Sequence, residues 1–206
     1  MPILTPEDEK ELARFEQNLV KDWRDLISAK EKVTDAHMKL ADLIAKENTR
    51  REIFLRTARD VYKQMQVLKR EKMSNIDEQD VKVIHDVIEE DEQLLDKNKI
   101  HLNALKDLSL QREYLLKEYR EVIEALKEVG TIRKAVVQKA LKIEQAKNKL
   151  IEGEKLEILD QDFKDIQKEF DRAKGLFNKK VEHLQAAKAE VNGLWKKLKD
   201  STTEFD

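Results

Sequence analysis

Taken at every seventh residue from Val87, the chain reads Val87, Leu94, His101, Leu108, Leu115, Val122, Val129, Val136, Ile143 and Leu150. Nine of these ten are apolar, and His101 alone interrupts the series. An apolar repeat of seven kept this long holds one stripe of a helix against partner helices in a left-handed supercoil. The phase passes unbroken through Gly130, so the repeat predicts one helix over 76–152 with the glycine inside it. At ~1.5 Å per residue such a helix extends on the order of 115 Å. A compact single-core domain has no use for an element of that length, so the remaining chain is expected to cover it.

Two further repeats supply the cover. Leu12, Leu19, Leu26, Val33, Leu40, Glu47, Phe54, Val61 and Leu68 form a heptad series broken only by Glu47, with Phe15, Ala29, Ala36 and Leu43 widening the stripe. Thr5-Pro6-Glu7-Asp8-Glu9 marks the start of that helix: a capping hydroxyl, a proline suited to the first turn, and acids at the positive end of the dipole. It is expected over 6–72. Leu156, Phe163, Phe170, Phe177, Leu184, Val191, Leu198 and Phe205 are all apolar and predict a third helix over 156–203. Met73-Ser74-Asn75 and Glu152-Gly153-Glu154 are the expected reversals, with Ser74 or Asn75 capping the second helix and Gly153 ending it.

Short connections force neighbouring helices to run antiparallel. The expected fold is therefore all-α: three long antiparallel helices in an elongated coiled-coil bundle, forming a single domain over 1–206. The third helix, folding back from Gly153, reaches only about as far as His101. Apolar seam left bare on the first hairpin calls for a partner chain, and a homodimer is expected. A hairpin that forms a stable two-stranded coiled coil by itself is the alternative.

Composition agrees with helices: 41% of residues are charged and 5% aromatic, with four glycines and two prolines. There is no cysteine, which removes disulfides and thiolate chemistry and suits a reducing compartment. No apolar run approaches membrane-spanning length, and MPILTPEDEK lacks the features of a signal peptide, so a cytoplasmic protein is expected. No metalloprotease motif, phosphate loop, nucleophile elbow or metal-spaced histidine cluster is present, which argues against an enzyme and against any metal or cofactor. His37, His85, His101 and His183 are scattered, Trp23 and Trp195 read as packing residues, and Asp86, Glu89, Glu90, Asp91, Glu92 and Asp96 read as a solvated face.

One charge feature stands out of a net −2. Arg133, Lys134, Lys139, Lys142, Lys147 and Lys149 are opposed over that stretch by Glu144 alone, and the third helix adds Lys179, Lys180, Lys196, Lys197 and Lys199. Such a stripe can lie on anionic phospholipid, or it can make helix-surface ion pairs and keep the rod soluble. Nucleic acid fits less well, because the chain is slightly acidic and no aromatics interleave with the basic residues.

The segment Tyr114-Leu-Leu-Lys-Glu-Tyr-Arg-Glu-Val-Ile-Glu-Ala-Leu-Lys-Glu-Val-Gly-Thr-Ile-Arg133, with Lys139-Ala140 and Lys147-Asn-Lys-Leu150, resembles the second helix of sorting-nexin BAR domains. Ile166-Gln-Lys-Glu-Phe170 and Ala173-Lys-Gly-Leu-Phe177 are similar to the start of that family's third helix. The resemblance implies a crescent-shaped dimer, of one chain or of two related chains. Its basic face would sense or impose curvature on anionic endosomal membrane, with Arg133, Lys134, Lys139, Lys142, Lys147 and Lys149 facing the lipid. The third helix is shorter than the resemblance implies and no phosphoinositide-binding PX domain precedes the helices, so the chain reads as a fragment or as a BAR-like protein of another type. Two other readings stand beside it. One is a spacer of two spectrin-type repeats, suggested by length, by Trp23 and by Val191-Asn-Gly-Leu-Trp195-Lys-Lys-Leu198. The other is a coiled-coil scaffold that recruits proteins through its acidic end.

Overall fold

Two reciprocal caps start the first two helices. In a computed structural model that describes residues 5–71, 77–149 and 154–203, Asp8 N–H donates to Thr5 Oγ1 at 3.2 Å while Thr5 N–H donates to Asp8 Oδ2 at 3.0 Å. Asp80 N–H donates to Asp77 Oδ1 at 2.8 Å, and Asp77 N–H returns a bond to Asp80 Oδ2 at 3.2 Å. Each pair satisfies amides that the helix itself leaves open. Asp77 thus does the capping expected of Ser74 or Asn75, which lie with Met73, Glu152 and Gly153 outside the described residues.

Three helices account for nearly all the described residues: α1 (Pro6–Arg70), α2 (Glu78–Asn148) and α3 (Glu154–Thr203). Acids crowd the first turns of α1 and α2, and Lys69, Arg70 and Lys147 sit in last turns, which complements each dipole. The chain divides into two compact units, Met1–Lys32 with Glu113–Glu190 and Val33–Arg112 with Val191–Asp206. Neither unit is a contiguous half of the chain, the arrangement that two tandem spectrin-type repeats would need.

In the first unit α2 is the central element. Leu115, Leu116, Tyr119, Val122 and Ile123 are buried on adjoining faces. Trp23 of α1 meets Tyr119 edge-on at 6.3 Å between ring centroids, and Lys188 of α3 places its ammonium 5.0 Å from the same ring. Phe163, Phe170 and Phe177 are half-buried and Leu184 is buried, so the repeat of α3 faces inward as its spacing predicts. In the second unit Leu55, Ile88 and Leu95 form a core on which Ala58, Tyr62 and Ile84 pack. Val191 and Leu198 of α3 are buried there, and Ser201 Oγ lies 3.3 Å from His101 Nδ1 near the end of α3.

The first helix departs from expectation in both units. Leu12, Phe15, Leu19 and Leu26 of the first unit are exposed, and so are Val33, Leu40, Leu43, Phe54, Val61 and Leu68 of the second. The buried positions lie beside that stripe: Glu9 and Ile27 in the first unit, Thr34, Ala41, Asn48 and Leu55 in the second. From Ile27 to Leu55 they also recur at heptad spacing, but several are small or polar. Asn48 is 6 % exposed, and both polar atoms of its amide lack a partner among the described residues. The same slip occurs at the start of α2, where Val87 is exposed and Ile88 buried. The inner face of α1 is therefore small and mixed, while larger side chains of the helix remain uncovered.

Candidate anionic-surface interface

Of the six basic residues picked out on α2, Arg133 does not belong to a surface. Its guanidinium is 8 % exposed and lies between two carboxylates of α1. Nε donates to Glu9 Oε2 at 2.6 Å, Nη2 donates to Glu9 Oε1 at 3.1 Å and to Glu16 Oε2 at 2.7 Å, and Nη1 donates to Glu16 Oε1. Hydrogen bonding to Glu16 raises the guanidinium pKa, burial works against it, and the Glu9 bond raises it again. Arg133 therefore stays charged and closes the α1–α2 contact; it does not face lipid. Gly130, one turn earlier, leaves room for this arrangement, since a Cβ there would sit 2.9 Å from Glu16 Oε2. Lys139 is engaged as well: its Nζ donates to Asp162 Oδ2 of α3 at 2.8 Å, and it is only one-third exposed.

Lys134, Lys142, Lys147 and Lys149 are exposed, and among the described residues no carboxylate lies within ion-pair distance of any of them. Lys134 and Lys142, eight residues apart, lie within about 80° of one another on α2, and Lys149, just past its end, follows Lys142 at a step of seven. Lys147 projects at a different angle. The expected set of six therefore resolves into four free lysines, one half-engaged lysine and one buried arginine.

The fold adds residues that the chain order hides. Lys21 and Arg24 of α1 line the same groove as Lys127 and Lys134 of α2, a depression of about 500 Å3. Its apolar lining includes Ala13, Val20, Leu126 and Gly130. Of its acids, Glu16 is committed to Arg133, which leaves Asp25. Lys127 has its own helix-surface partner in Glu124. Lys21 and Arg24 thus extend the Lys134 face across to α1. The antiparallel pairing of α1 with α2 was the available signal: once residue 16 is set beside residue 133, residues 21 and 24 must fall beside the turn holding Lys127.

Two lysines of α3 in this unit are held in ion pairs. Lys180 donates to Glu121, raising its own pKa and lowering that of the carboxylate, and Lys168 pairs with Asp165 at 3.3 Å. In the second unit the acidic segment at the start of α2 is partly consumed too: Asp91 pairs with Arg51, and Glu92 accepts from Arg59 Nε at 2.9 Å. Among the described residues no group of three acids or histidines is placed to hold a metal ion, and no helix is long and apolar enough to cross a membrane. No protein-family model matches the chain, and neither a curated protein nor a solved structure matches it.

Proposed function

We propose that the chain is a peripheral membrane-binding module that lays the Lys134, Lys142 and Lys149 face of α2, with Lys21 and Arg24 of α1 beside it, on anionic phospholipid. The observation that carries this reading is the contrast in ion pairing. Arg133 and Lys139, which face other helices, are neutralised by carboxylates, whereas Lys134, Lys142 and Lys149 are exposed and have no partner among the described residues. A cation near an anionic bilayer contributes about 1 kcal/mol, so five give on the order of 5 kcal/mol at low salt, a reversible peripheral attachment. The helices hold these residues at fixed spacing, so little backbone freedom is lost on binding. The resemblance of α2 to sorting-nexin BAR domains extends the reading to endosomal membrane and to the sensing or shaping of curvature.

Flotation with vesicles of phosphatidylcholine, with and without phosphatidylserine, tests it. Binding should require the anionic lipid and weaken steeply with added salt. Lys134→Glu with Lys142→Glu should abolish flotation and leave helicity by circular dichroism unchanged. Equal flotation of this variant and the parent chain would remove the proposed surface.

A further inference from the structure

The exposed apolar stripe of α1 in the second unit carries a pattern that determines its own partner. Val33, Leu40, Phe54, Val61 and Leu68 recur at multiples of seven residues, Leu43 follows Leu40 by three, and all six are 38–62 % exposed. Two charges sit in the middle of the stripe. Glu47 continues the series of Leu40 and Phe54, and Arg50 continues that of Leu43. Both are exposed. Glu47 accepts from Arg51 of its own helix at 2.9 Å, while Arg50 has no carboxylate partner among the described residues.

We infer that this stripe is the contact between two copies of the chain, paired antiparallel about a two-fold axis passing between residues 48 and 49 of α1. In that register Glu47 of each copy meets Arg50 of the other, so both interrupting charges are neutralised twice over. Leu43 then meets Phe54, Ala36 meets Val61, and Leu40 meets Thr57, each pair occurring twice by symmetry. Slipping the antiparallel register by one heptad sets Glu47 against Leu43 and Arg50 against Leu40, or Glu47 against Thr57 and Arg50 against Phe54. Either slip sets Arg50 against an apolar residue with no carboxylate to meet it. A parallel, in-register pair sets Glu47 against Glu47 and Arg50 against Arg50, which repel. Among these alignments only the first satisfies both charges, and a second copy supplies the matching sequence. The inference concerns a surface of the second unit and does not depend on the lipid-binding reading.

Analytical ultracentrifugation of the full chain over a concentration series should give a dimer mass. Glu47→Arg alone and Arg50→Glu alone each create two like-charged contacts and should weaken dimerisation by about tenfold or more. An equimolar mixture of the two variants should regain the affinity of the parent chain, because every cross-chain contact is then opposite in sign. The absence of cysteine from the chain permits a test of direction. Ala36→Cys with Val61→Cys should oxidise to a covalent dimer, whereas Ala36→Cys alone should not, since residues 36 then lie far apart. The proposal is overturned by a monomer at all concentrations, by a dimer indifferent to both charge reversals, or by Ala36→Cys alone cross-linking as readily as the pair. Circular dichroism of each variant checks that the helices are intact.

Discussion

Replacing Arg133 with methionine removes a buried cation from between two carboxylates and leaves the space filled. Glu9 and Glu16 then remain, 10 % and 19 % exposed, without the four hydrogen bonds that Arg133 supplies. Breaking a buried pair by removing one partner costs about 3–5 kcal/mol, and the partial exposure of Glu16 argues for the lower end, about 3 kcal/mol. Trp23 lies in the same unit, so a Trp195→Phe background makes tryptophan fluorescence report on that unit alone. With a urea slope of about 2 kcal/mol per molar, the unfolding midpoint should fall by about 1.5 M at neutral pH. Adding Glu9→Gln and Glu16→Gln to Arg133→Met should recover most of the loss. A variant as stable as its parent, or no recovery on adding the two glutamine substitutions, would refute the clamp and return Arg133 to the surface.

The second unit should lose stability on mild acidification. Burial, then the neighbouring Arg112, lowers the His37 pKa, and burial lowers that of His101. Arg112 Nη1 lies 2.9 Å from His37 Nδ1, a contact in which the ring nitrogen must be unprotonated to accept. A histidine whose folded pKa is depressed contributes stability that is complete above the unfolded value, about 6.5, and is lost as pH falls through the folded one. The melting temperature should therefore drop between about pH 7 and pH 5, and His37→Gln with His101→Gln should flatten that drop; an unchanged slope would exclude these two groups as its source. The glycines make a separate comparison. Nothing lies within 4 Å of a Cβ built at Gly175 or Gly193, both inside α3, so alanine should stabilise each by roughly 0.5–1 kcal/mol. At Gly130 the same gain should be cancelled by displacement of Glu16 from Arg133, and equal gains at all three sites by thermal melts would contradict that contact.

Much of the fold is legible in order and periodicity. Heptad spacing marks three long helices, and their ends follow from acids in first turns and from the scarcity of glycine and proline. The inward faces of α3 and of the latter part of α2 follow from the same spacing, because those helices bury the stripe that carries their largest apolar residues. Leu108 and Val122 are fully buried as the repeat requires. Basic residues are legible as a cluster, but their roles are not. Arg133 and Lys134 are neighbours in the chain, yet one is enclosed by α1 and the other faces outward, since consecutive helical residues point about 100° apart.

The phase of α1 was decided by tertiary structure alone. This helix carries two heptad stripes, one large and apolar, the other small, polar and mixed. Hydrophobic periodicity states that a stripe recurs on one face; it contains no information about which neighbour covers that face. In the folded chain the stripe of Thr34, Ala41, Asn48 and Leu55 is buried, and the stripe of Leu40, Phe54 and Val61 is left to the outside. Spacing along one helix determines which residues share a face. Only the packing of one helix against another determines which face is spent within the chain and which remains for a partner.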